Sequence, residues 1–476
     1  MLAGVIAAKT VQAAARSMQQ YMGQVDVFEW RLDYLIQVEI NAIATTLANS
    51  PHPVIVTLRS KNTGGHFQVD EQVRLQLLQG IAALGPQYLD IEHHVPVTWL
   101  EALAQAYPTL KLIRSFHDFT ATPDDLSGVL AALKHPAVSI YKMVTMATSS
   151  LDSMRMARWV QQQQAQQPLV GHCLGAYGIA SRLLGHVLGN YFDYVALETS
   201  TVAPGILDID TWRDVYRLPR KKPVKQIYAL LGDPVAHSLG AYFHNRVFSD
   251  HSIAALYIKI RLNAAELPIF FAAIDSLPFA GFSITMPLKR AVLHIPQVQA
   301  DPATTAVAAA NTLKKQAGAW QATNTDGLGA MQALSEVIAL PHQRLLLLGA
   351  GATACAIAHT ARTKYQMRID VLNRTRAHAI DIVGHAHAYS FADHTGLADH
   401  YDVVVNTLPH AAGMDETVYA ILAPRINAKS TYLAVDYAAG ETVLSQKIRQ
   451  LGAVVVSGEA MFVAQAEAQF KCWVRQ

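Results

Sequence analysis

Two groups of residues in this sequence have the types and spacing that chemistry needs. Lys142 stands in Val138-Ser139-Ile140-Tyr141-Lys142-Met143-Val144, with apolar neighbours on both sides. Burial there would depress the pKa of the ammonium and free a nucleophilic amine, as an enzyme that condenses with a ketone requires. His117, in Ser115-Phe116-His117-Asp118-Phe119, closes the preceding apolar run. Adjacent strands would then set an imidazole beside the amine as a proton shuttle. Each residue alone also reads structurally, as a lysine snorkelling from a strand end and as a hydrogen-bonded histidine. The pairing favours chemistry.

The second group begins where a continuous hydrophobic strand, a G-x-G-x-x-A turn and an alanine-rich helix follow one another from Arg344 to Ala358. This is the context a dinucleotide site requires. Gly349 permits the tight turn, Gly351 lets backbone N–H groups approach a pyrophosphate, and Ala354 allows close packing of helix on strand. The next strand, Arg368–Leu372, ends in Asn373-Arg374-Thr375. An NAD site carries an acid there for the ribose hydroxyl. Asparagine followed by arginine suits a 2′-phosphate instead, so NADP is favoured over NAD. Asp370 is the one carboxylate between Met367 and Arg376, and it falls inside the strand. The lesser reading of Arg374 is an ordinary surface arginine.

These residues need strands to hold them. In the first half, β-branched runs alternate with helix-like stretches: Leu2–Ala8, Val25–Asp33, Pro53–Ser60, Tyr88–His93, Lys111–Phe119, Val138–Ala147, Leu169–Gly175 and Tyr194–Glu198. Eight such units predict a (β/α)8 TIM barrel. Polar residues gather at the C-terminal ends of the runs, in Glu29–Asp33, Arg59, Glu92-His93, His117-Asp118 and Lys142. A barrel keeps its chemistry at that end, and charge inside an apolar strand is otherwise costly. The segment Arg217-Leu218-Pro219-Arg220-Lys221-Lys222-Pro223-Val224-Lys225 packs basic residues with two prolines and reads as a solvated linker.

Composition bounds the function classes. Of 476 residues, 51% are hydrophobic and 16% charged, below the about 25% charged usual for soluble chains. Large cores follow, and long disorder or a coiled coil does not. A net charge of +2 is too balanced for a dedicated nucleic-acid binder. The most apolar run, Leu345–Ala358, is too short to span a membrane. Cys173, Cys355 and Cys472 lie far apart, which predicts a reduced, cytoplasmic protein. Met1–Lys9 reads as a first strand rather than a targeting signal. The twenty histidines form no ligand-spaced set, so no metal is implied.

The first half resembles type I 3-dehydroquinate dehydratase. The resemblance rests on Phe28–Asp33, Thr57-Leu58-Arg59-Ser60 with Gly64-Gly65, Ser115–Phe119, Lys142, Gly178-Ile179-Ala180-Ser181-Arg182 and Ala203-Pro204-Gly205, in the family's order. It implies that Lys142 condenses with the C3 ketone of 3-dehydroquinate. His117 would remove the C2 proton and return it to the departing C1 hydroxyl, and imine hydrolysis would release 3-dehydroshikimate. Arg182 would grip the substrate carboxylate, while Glu29, Arg31 and Arg59 would hold hydroxyls and tune the local field. Two positions depart from the family. Thr63 replaces a glutamate that supports the histidine, with His66 near enough in sequence to contribute. Ile206 replaces the glutamine of the lid motif, which predicts weakened binding rather than lost chemistry.

The second half resembles shikimate dehydrogenase through Tyr228–Gly240 with His244-Asn245, Gly281–Lys289, Ala309–Thr312, Thr323–Gly327, Asp402–Pro409, Val435–Tyr437 and Gly458–Met461 with Gln465. The resemblance implies that Lys289 and Asp326 form the catalytic pair beside the ketone, Lys289 donating the proton during hydride transfer. Ser238, Thr285, Asn311, Tyr437 and Gln465 would bind substrate. Gly349, Gly351, Ala354, Asn373, Arg374, Thr375, Thr407, Gly458 and Met461 would bind NADP(H). Departures are Gly240 for a carboxylate-contacting serine, Ala308 for a glycine and Ser283 for an asparagine.

The implied α/β layout is a dehydratase barrel at 1–216, a basic linker at 217–226, and a two-lobed reductase. Its lobes are a substrate-binding domain at 227–330, completed by 445–476, and a Rossmann NADP domain at 331–444. The product of the first reaction is the substrate of the second. The whole resembles the fused dehydratase–dehydrogenase of the shikimate pathway in plants and some bacteria, with small-molecule substrates and no nucleic-acid or membrane partner. The alternative is an impaired barrel serving as a scaffold or regulatory module for an active shikimate or quinate dehydrogenase.

Overall fold

Period-two alternation builds the first half of the chain. In the computed structural model, residues 1–198, 202–218, 224–409, 414–437 and 440–474 are described. The first eight strands are β1 (Leu2–Ile6), β2 (Val27–Arg31), β3 (Val54–Thr57), β4 (Tyr88–Glu92), β5 (Lys111–Asp118), β6 (Ile140–Met146), β7 (Leu169–Leu174) and β8 (Asp193–Ala196). All eight expected runs hold a strand, with only their ends displaced. Helices separate successive strands, so the pairing is parallel, and the order runs β7-β6-β5-β4-β3-β2-β1-β8. The helix after β6, Ser150–Gln163, starts on a capping box in which Ser149 and Asp152 satisfy each other's backbone N–H groups.

The barrel has one seam. A ninth strand, β9 (Leu207–Asp208), pairs with β8 on the edge that ladder closure would give to β7. Between β7 and β8 the backbone tie is a hydrogen bond from the Tyr191 N–H to the Leu169 carbonyl, 2.8 Å. Packing closes what the ladder leaves open. Ala3, Val27, Ile55, Tyr88, Ile113, Ile140, Val170 and Phe192, from the strands and the residue before β8, meet in one buried cluster. Above it, the next inward positions of β2 to β7 are polar, and this puts the charged residues at one end of an apolar plug.

Of the basic linker, residues 219–223 lie outside the described residues, and Leu218 before them is buried. A second sheet follows, from β10 (Gln226–Gly232), β11 (Ala255–Arg261), β12 (Phe279–Ile284), β13 (Val298–Ala300), β14 (Thr312–Gln316) and β15 (Ala319–Thr323). Its order is β11-β10-β12-β14-β15-β13, with β14 antiparallel to both neighbours. The third sheet comprises β16 (Arg344–Leu348), β17 (Arg368–Leu372), β18 (Ala388–Tyr389), β19 (Val403–Asn406), β20 (Thr431–Ala434) and β21 (Val454–Val456). It is parallel throughout, ordered β18-β17-β16-β19-β20-β21, the doubly wound arrangement of a Rossmann domain.

The unbroken leucine run of β16 has a simple cause. Leu345 and Leu347 enter one core and Leu346 and Leu348 the other, because helices cover both faces. The final helix, Gly458–Val474, is tied to the second sheet: the Ser283 hydroxyl donates to Gln469 at 2.8 Å, and the Trp473 indole N–H donates to the Leu313 carbonyl at 3.0 Å. By contacts the chain forms two compact units. One is Met1–Ile227 with Phe248–Leu262 and Pro268–Pro278; the other is Tyr228–Val247 with Asn263–Leu267 and Phe279–Gln476.

Candidate active sites

Alternation along the barrel strands points Glu29 and Arg31 of β2, Asp90 of β4, His117 of β5 and Lys142 of β6 inward above the apolar plug. The Lys142 ammonium donates to Glu29 Oε1 at 2.9 Å and to Asp90 Oδ2 at 3.0 Å, and it lies 4.1 Å from the centre of the Tyr194 ring. Burial pulls the pKa of this lysine down, as expected, but Asp90 and then Glu29 outweigh burial and hold it above its ordinary value. The expectation of a depressed amine is therefore corrected: the resting group is an ammonium held by two carboxylates. Burial likewise raises Asp90, yet Lys142 and Arg59 bring its carboxyl down to about 2.

His117 sits one inward position above Lys142 on the neighbouring strand, since Ser115 is in register with Lys142 and His117 with Val144. Burial first, then Arg59 and Lys142, push its pKa well below that of an ordinary imidazole. Arg59 donates from Nη1 to His117 Nδ1 at 2.9 Å and from Nη2 to Asp90 at 3.1 Å. Because a guanidinium only donates, Nδ1 accepts, and the neutral ring carries its hydrogen on Nε2. Arg31 is bidentate to Asp33, at 2.9 and 2.7 Å. Arg182, in the first turns of the helix Ile179–Leu188, is buried and lowered to about 10 by that burial, and its Nε has no hydrogen-bond partner among the described residues.

Glu29, Arg31, Arg59, His117, Lys142 and Arg182 all line one cavity. Gly205 brings the lid segment to its mouth. Its φ of +74° is left-handed, and a Cβ there would strike the Gly175 carbonyl oxygen at 2.3 Å, while the Gly175 N–H donates to the Pro204 carbonyl at 3.1 Å.

In the second unit, the Lys289 ammonium donates to Asp326 Oδ2 and, at 3.0 Å, to Thr353 Oγ1; the Thr353 hydroxyl donates to the same Asp326 oxygen at 3.1 Å. Asn311 donates to Asp326 Oδ1 at 2.7 Å and lies 3.4 Å from Gln465 Oε1. Four expected residues, Lys289, Asp326, Asn311 and Gln465, thus form one network. Ser238 and Tyr437 form another: burial raises the Tyr437 phenol, and Ser238 opposes the shift through a hydrogen bond. Thr285 directly follows β12, its N–H bonded to the Leu231 carbonyl at 2.9 Å.

The nucleotide loop fits a dinucleotide diphosphate. Gly349 has φ +98°, and a Cβ there would lie 2.5 Å from Thr407 Oγ1; a Cβ on Gly351, at the start of the helix Ala352–Tyr365, would meet nothing within 4 Å. That open space faces the helix N-terminus, where an anion is favoured. Ala354 is fully buried. Asp370 is committed elsewhere, accepting from Tyr401 at 2.7 Å and lying 2.8 Å from His387 Nδ1. Asn373 folds back on the Thr375 carbonyl at 2.9 Å, leaving Arg374 exposed beside it. The set therefore suits a 2′-phosphate and not a ribose diol. Gly458 lies against the Ala434 and Val435 carbonyls, and Met461 is buried in the core cluster that contains Leu345 and Leu347.

Residues 3–223 match the type I 3-dehydroquinase family and residues 230–313 the shikimate dehydrogenase substrate binding domain. Over 473 residues the chain is 30% identical to the chloroplastic bifunctional 3-dehydroquinate dehydratase/shikimate dehydrogenase of Arabidopsis thaliana, covering 94% of this chain and 77% of the relative. The chain belongs to this bifunctional dehydratase–dehydrogenase family. It is also 29% identical to the shikimate biosynthesis protein AroDE of Chlamydia trachomatis, over 99% of this chain and 94% of that one. Among solved structures, the dehydroquinate dehydratase and shikimate dehydrogenase of S. pombe AroM is similar at 21% identity, 99% and 95% coverage, and a TM-score of 0.43.

Within the family, this chain's own substitutions acquire neighbours. Thr63 donates to Glu92 Oε1 at 3.1 Å and is not among the partners of His117. His66 does not take that place either. It is held by Asp33, to which its N–H donates at 3.1 Å, and by the Tyr34 ring. Ser283 is engaged with Gln469. Three residues of the sites escaped the sequence reading: Asp90, His172 and Thr353. Asp90 had a signal, a carboxylate in an inward position of an apolar strand. His172 had the same one, and Thr353 was hidden inside a motif read for its glycines. Among the described residues, no group of three or more histidines, cysteines and acids could hold a metal, and no helix is long and apolar enough to cross a membrane.

Proposed function

We propose that this bifunctional shikimate-pathway enzyme dehydrates 3-dehydroquinate through a Schiff base on Lys142 and then reduces 3-dehydroshikimate to shikimate with NADPH. The observation that carries the barrel reaction is Lys142 held between Glu29 and Asp90 in a cavity that His117 and Arg182 also line. Once the ammonium has passed a proton to one of its carboxylate partners, the amine attacks the C3 ketone, and loss of water leaves an iminium. The iminium acidifies the C2–H bond.

A substrate hydroxyl that engages Arg59 draws it from Nδ1 of His117 and frees that lone pair as the base. His117 thus becomes competent when substrate is present. It takes the C2 proton and delivers it to the departing C1 hydroxyl, and hydrolysis of the iminium restores Lys142. Arg182 supports the carboxylate, as its unpaired buried Nε suggests.

In the reductase, bound NADPH supplies the hydride. Lys289 Nζ gives a proton to the ketone oxygen, and Asp326 and Thr353 hold that ammonium in place. Asn311 and Gln465, with Ser238, Thr285 and Tyr437, bind the polyhydroxylated acid; Gly349, Gly351, Ala354, Thr407, Gly458 and Met461 shape the cofactor site, with Asn373, Arg374 and Thr375 at its phosphate end. We assign the barrel to 1–216, the linker to 217–226, the substrate domain to 227–330 with 445–476, and the NADP domain to 331–444. The three unpaired cysteines support a reducing, cytoplasmic setting.

The test is a coupled assay with purified protein, 3-dehydroquinate and NADPH, alongside borohydride trapping. NADPH absorbance falls without added enzymes, and the trapped adduct maps to Lys142. A flat trace with 3-dehydroquinate but not with 3-dehydroshikimate, and no adduct, would establish the impaired-barrel reading instead.

A further inference from the structure

The barrel cavity contains a second imidazole. His172, on β7, is in register with Val144 of β6, as His117 is on the opposite side from β5. The two histidines therefore flank Val144, one inward step above Lys142. His172 is 5% exposed and lines the same cavity. No hydrogen bond from a described residue reaches its ring, which lies tilted beside that of Tyr194, centroids 6.0 Å apart. With no such bond and neither nitrogen fully enclosed, the ring nitrogens reach the open space of the cavity, where a polar group of an occupant would satisfy them. The chain turns straight from β7 through Ala176–Gly178 into the helix that carries Arg182, so His172 and Arg182 belong to one end of the cavity.

We infer that His172 is a substrate-contacting residue that donates its ring N–H to the C1 hydroxyl of 3-dehydroquinate, the group that leaves. The inference rests on the dehydratase reading above. If Arg182 takes the carboxylate, the neighbouring donor meets the other polar substituent of the same carbon, which is that hydroxyl. Atoms balance without a further acid. The C1–O bond breaks, the proton that completes the water comes from His117, and His172 begins and ends neutral. Burial, Arg182 and Lys142 together disfavour its protonation, in keeping with a neutral donor. As the oxygen gathers charge the hydrogen bond strengthens, so the contribution falls on the transition state.

The product lacks the C1 hydroxyl, and this separates a role in leaving-group contact from a role in folding. In the full-length chain, His172→Phe and His172→Leu should each lower kcat/KM for 3-dehydroquinate by about 10- to 100-fold. His172→Gln, whose amide N–H can donate, should recover most of the loss. The concentration of 3-dehydroshikimate that half-saturates borohydride trapping at Lys142 should stay within about twofold of wild type in every variant. The inference is overturned if neither apolar variant loses more than about twofold, or if the loss extends equally to product trapping. Absence of an adduct in the wild-type chain would instead sink the parent reading.

Discussion

The barrel and the reductase each hold a lysine paired with carboxylate oxygen, and they surround it differently. Lys142 is buried among groups from four strands, and each contributes at a fixed register: Glu29 from β2, Asp90 from β4, His117 from β5 and Tyr194 from β8. Lys289 keeps 14% of its side chain exposed, and its partners Asp326 and Thr353 both stand in the first turn of a helix. A strand ladder can pack opposite charges into an interior, because alternation delivers them in layers and each pair offsets the other's desolvation. A site made from helix starts leaves its lysine partly open, as the 14% exposure of Lys289 shows.

The sharpest way to break that division is to remove each lysine. Lys142→Ala should lower dehydratase kcat by at least about 10⁴-fold and leave reduction of 3-dehydroshikimate within about twofold. Lys289→Met should do the reverse, costing the reductase about 10²- to 10⁴-fold. Steady-state rates on each substrate alone decide it, and a variant that depresses both activities would show that the sites are not separate. A smaller effect is expected at the phosphate end of the cofactor site. Arg374→Ala removes a charge-assisted bond worth about 1.5–3 kcal/mol, so KM for NADP should rise by roughly 10- to 100-fold while KM for NAD barely moves. An equal change for both cofactors would make Arg374 the plain surface arginine.

The same contrast appears in acid. Burial, reinforced by Arg59 and Lys142 at His117 and by Arg182 at His172, keeps both imidazoles neutral well below the ordinary pKa. The unfolded chain binds protons at those positions as pH falls through about 6.5, whereas the folded barrel does not, so barrel stability declines below that pH. Asp90 acts in the same direction further down. Its carboxyl is held at about 2 against an ordinary 3.8, so the stability it contributes above 3.8 is lost as pH falls toward 2. The second unit holds one such histidine, His244, brought down to about 3 by burial. From pH 6.5 to 5.5 the barrel should therefore lose more stability than the second unit. Urea midpoints followed by each activity measure this, and equal shifts would contradict the comparison.

Much of this arrangement was legible before any coordinates. Strand alternation and charged strand ends located the barrel and five of its cavity residues, because both signals are local; Arg182, on a helix, came from the family resemblance alone. The protonation state of Lys142 was not legible, since its partners lie 113 and 52 positions away and meet it only through the ladder. His172 reads in sequence as one polar residue in an apolar strand, indistinguishable from a satisfied core histidine until its lack of a partner is seen. Thr353 shows a different blindness. The fingerprint explains its glycines by backbone approach, and nothing in that explanation requires a hydroxyl to reach Lys289.

Ala308 gives the smallest expected effect and the one most closely tied to a visible departure from the family. It closes the helix Pro302–Val307 at φ 53°, ψ 35°, a left-handed conformation. For an L residue with a Cβ that conformation costs about 1–2 kcal/mol, and glycine avoids the cost but has more freedom to lose from the unfolded chain. The strain persists because Val307 and Ala309 are both buried against Ala356 of the nucleotide-loop helix, which leaves the residue between them no other path. Ala308→Gly should therefore stabilise the second unit by about 0.5–1 kcal/mol, a rise of about 1–4 °C in its Tm, with the barrel transition unmoved. Calorimetry on the full chain reads both transitions. A fall in the second Tm would mean that the alanine methyl packs productively there.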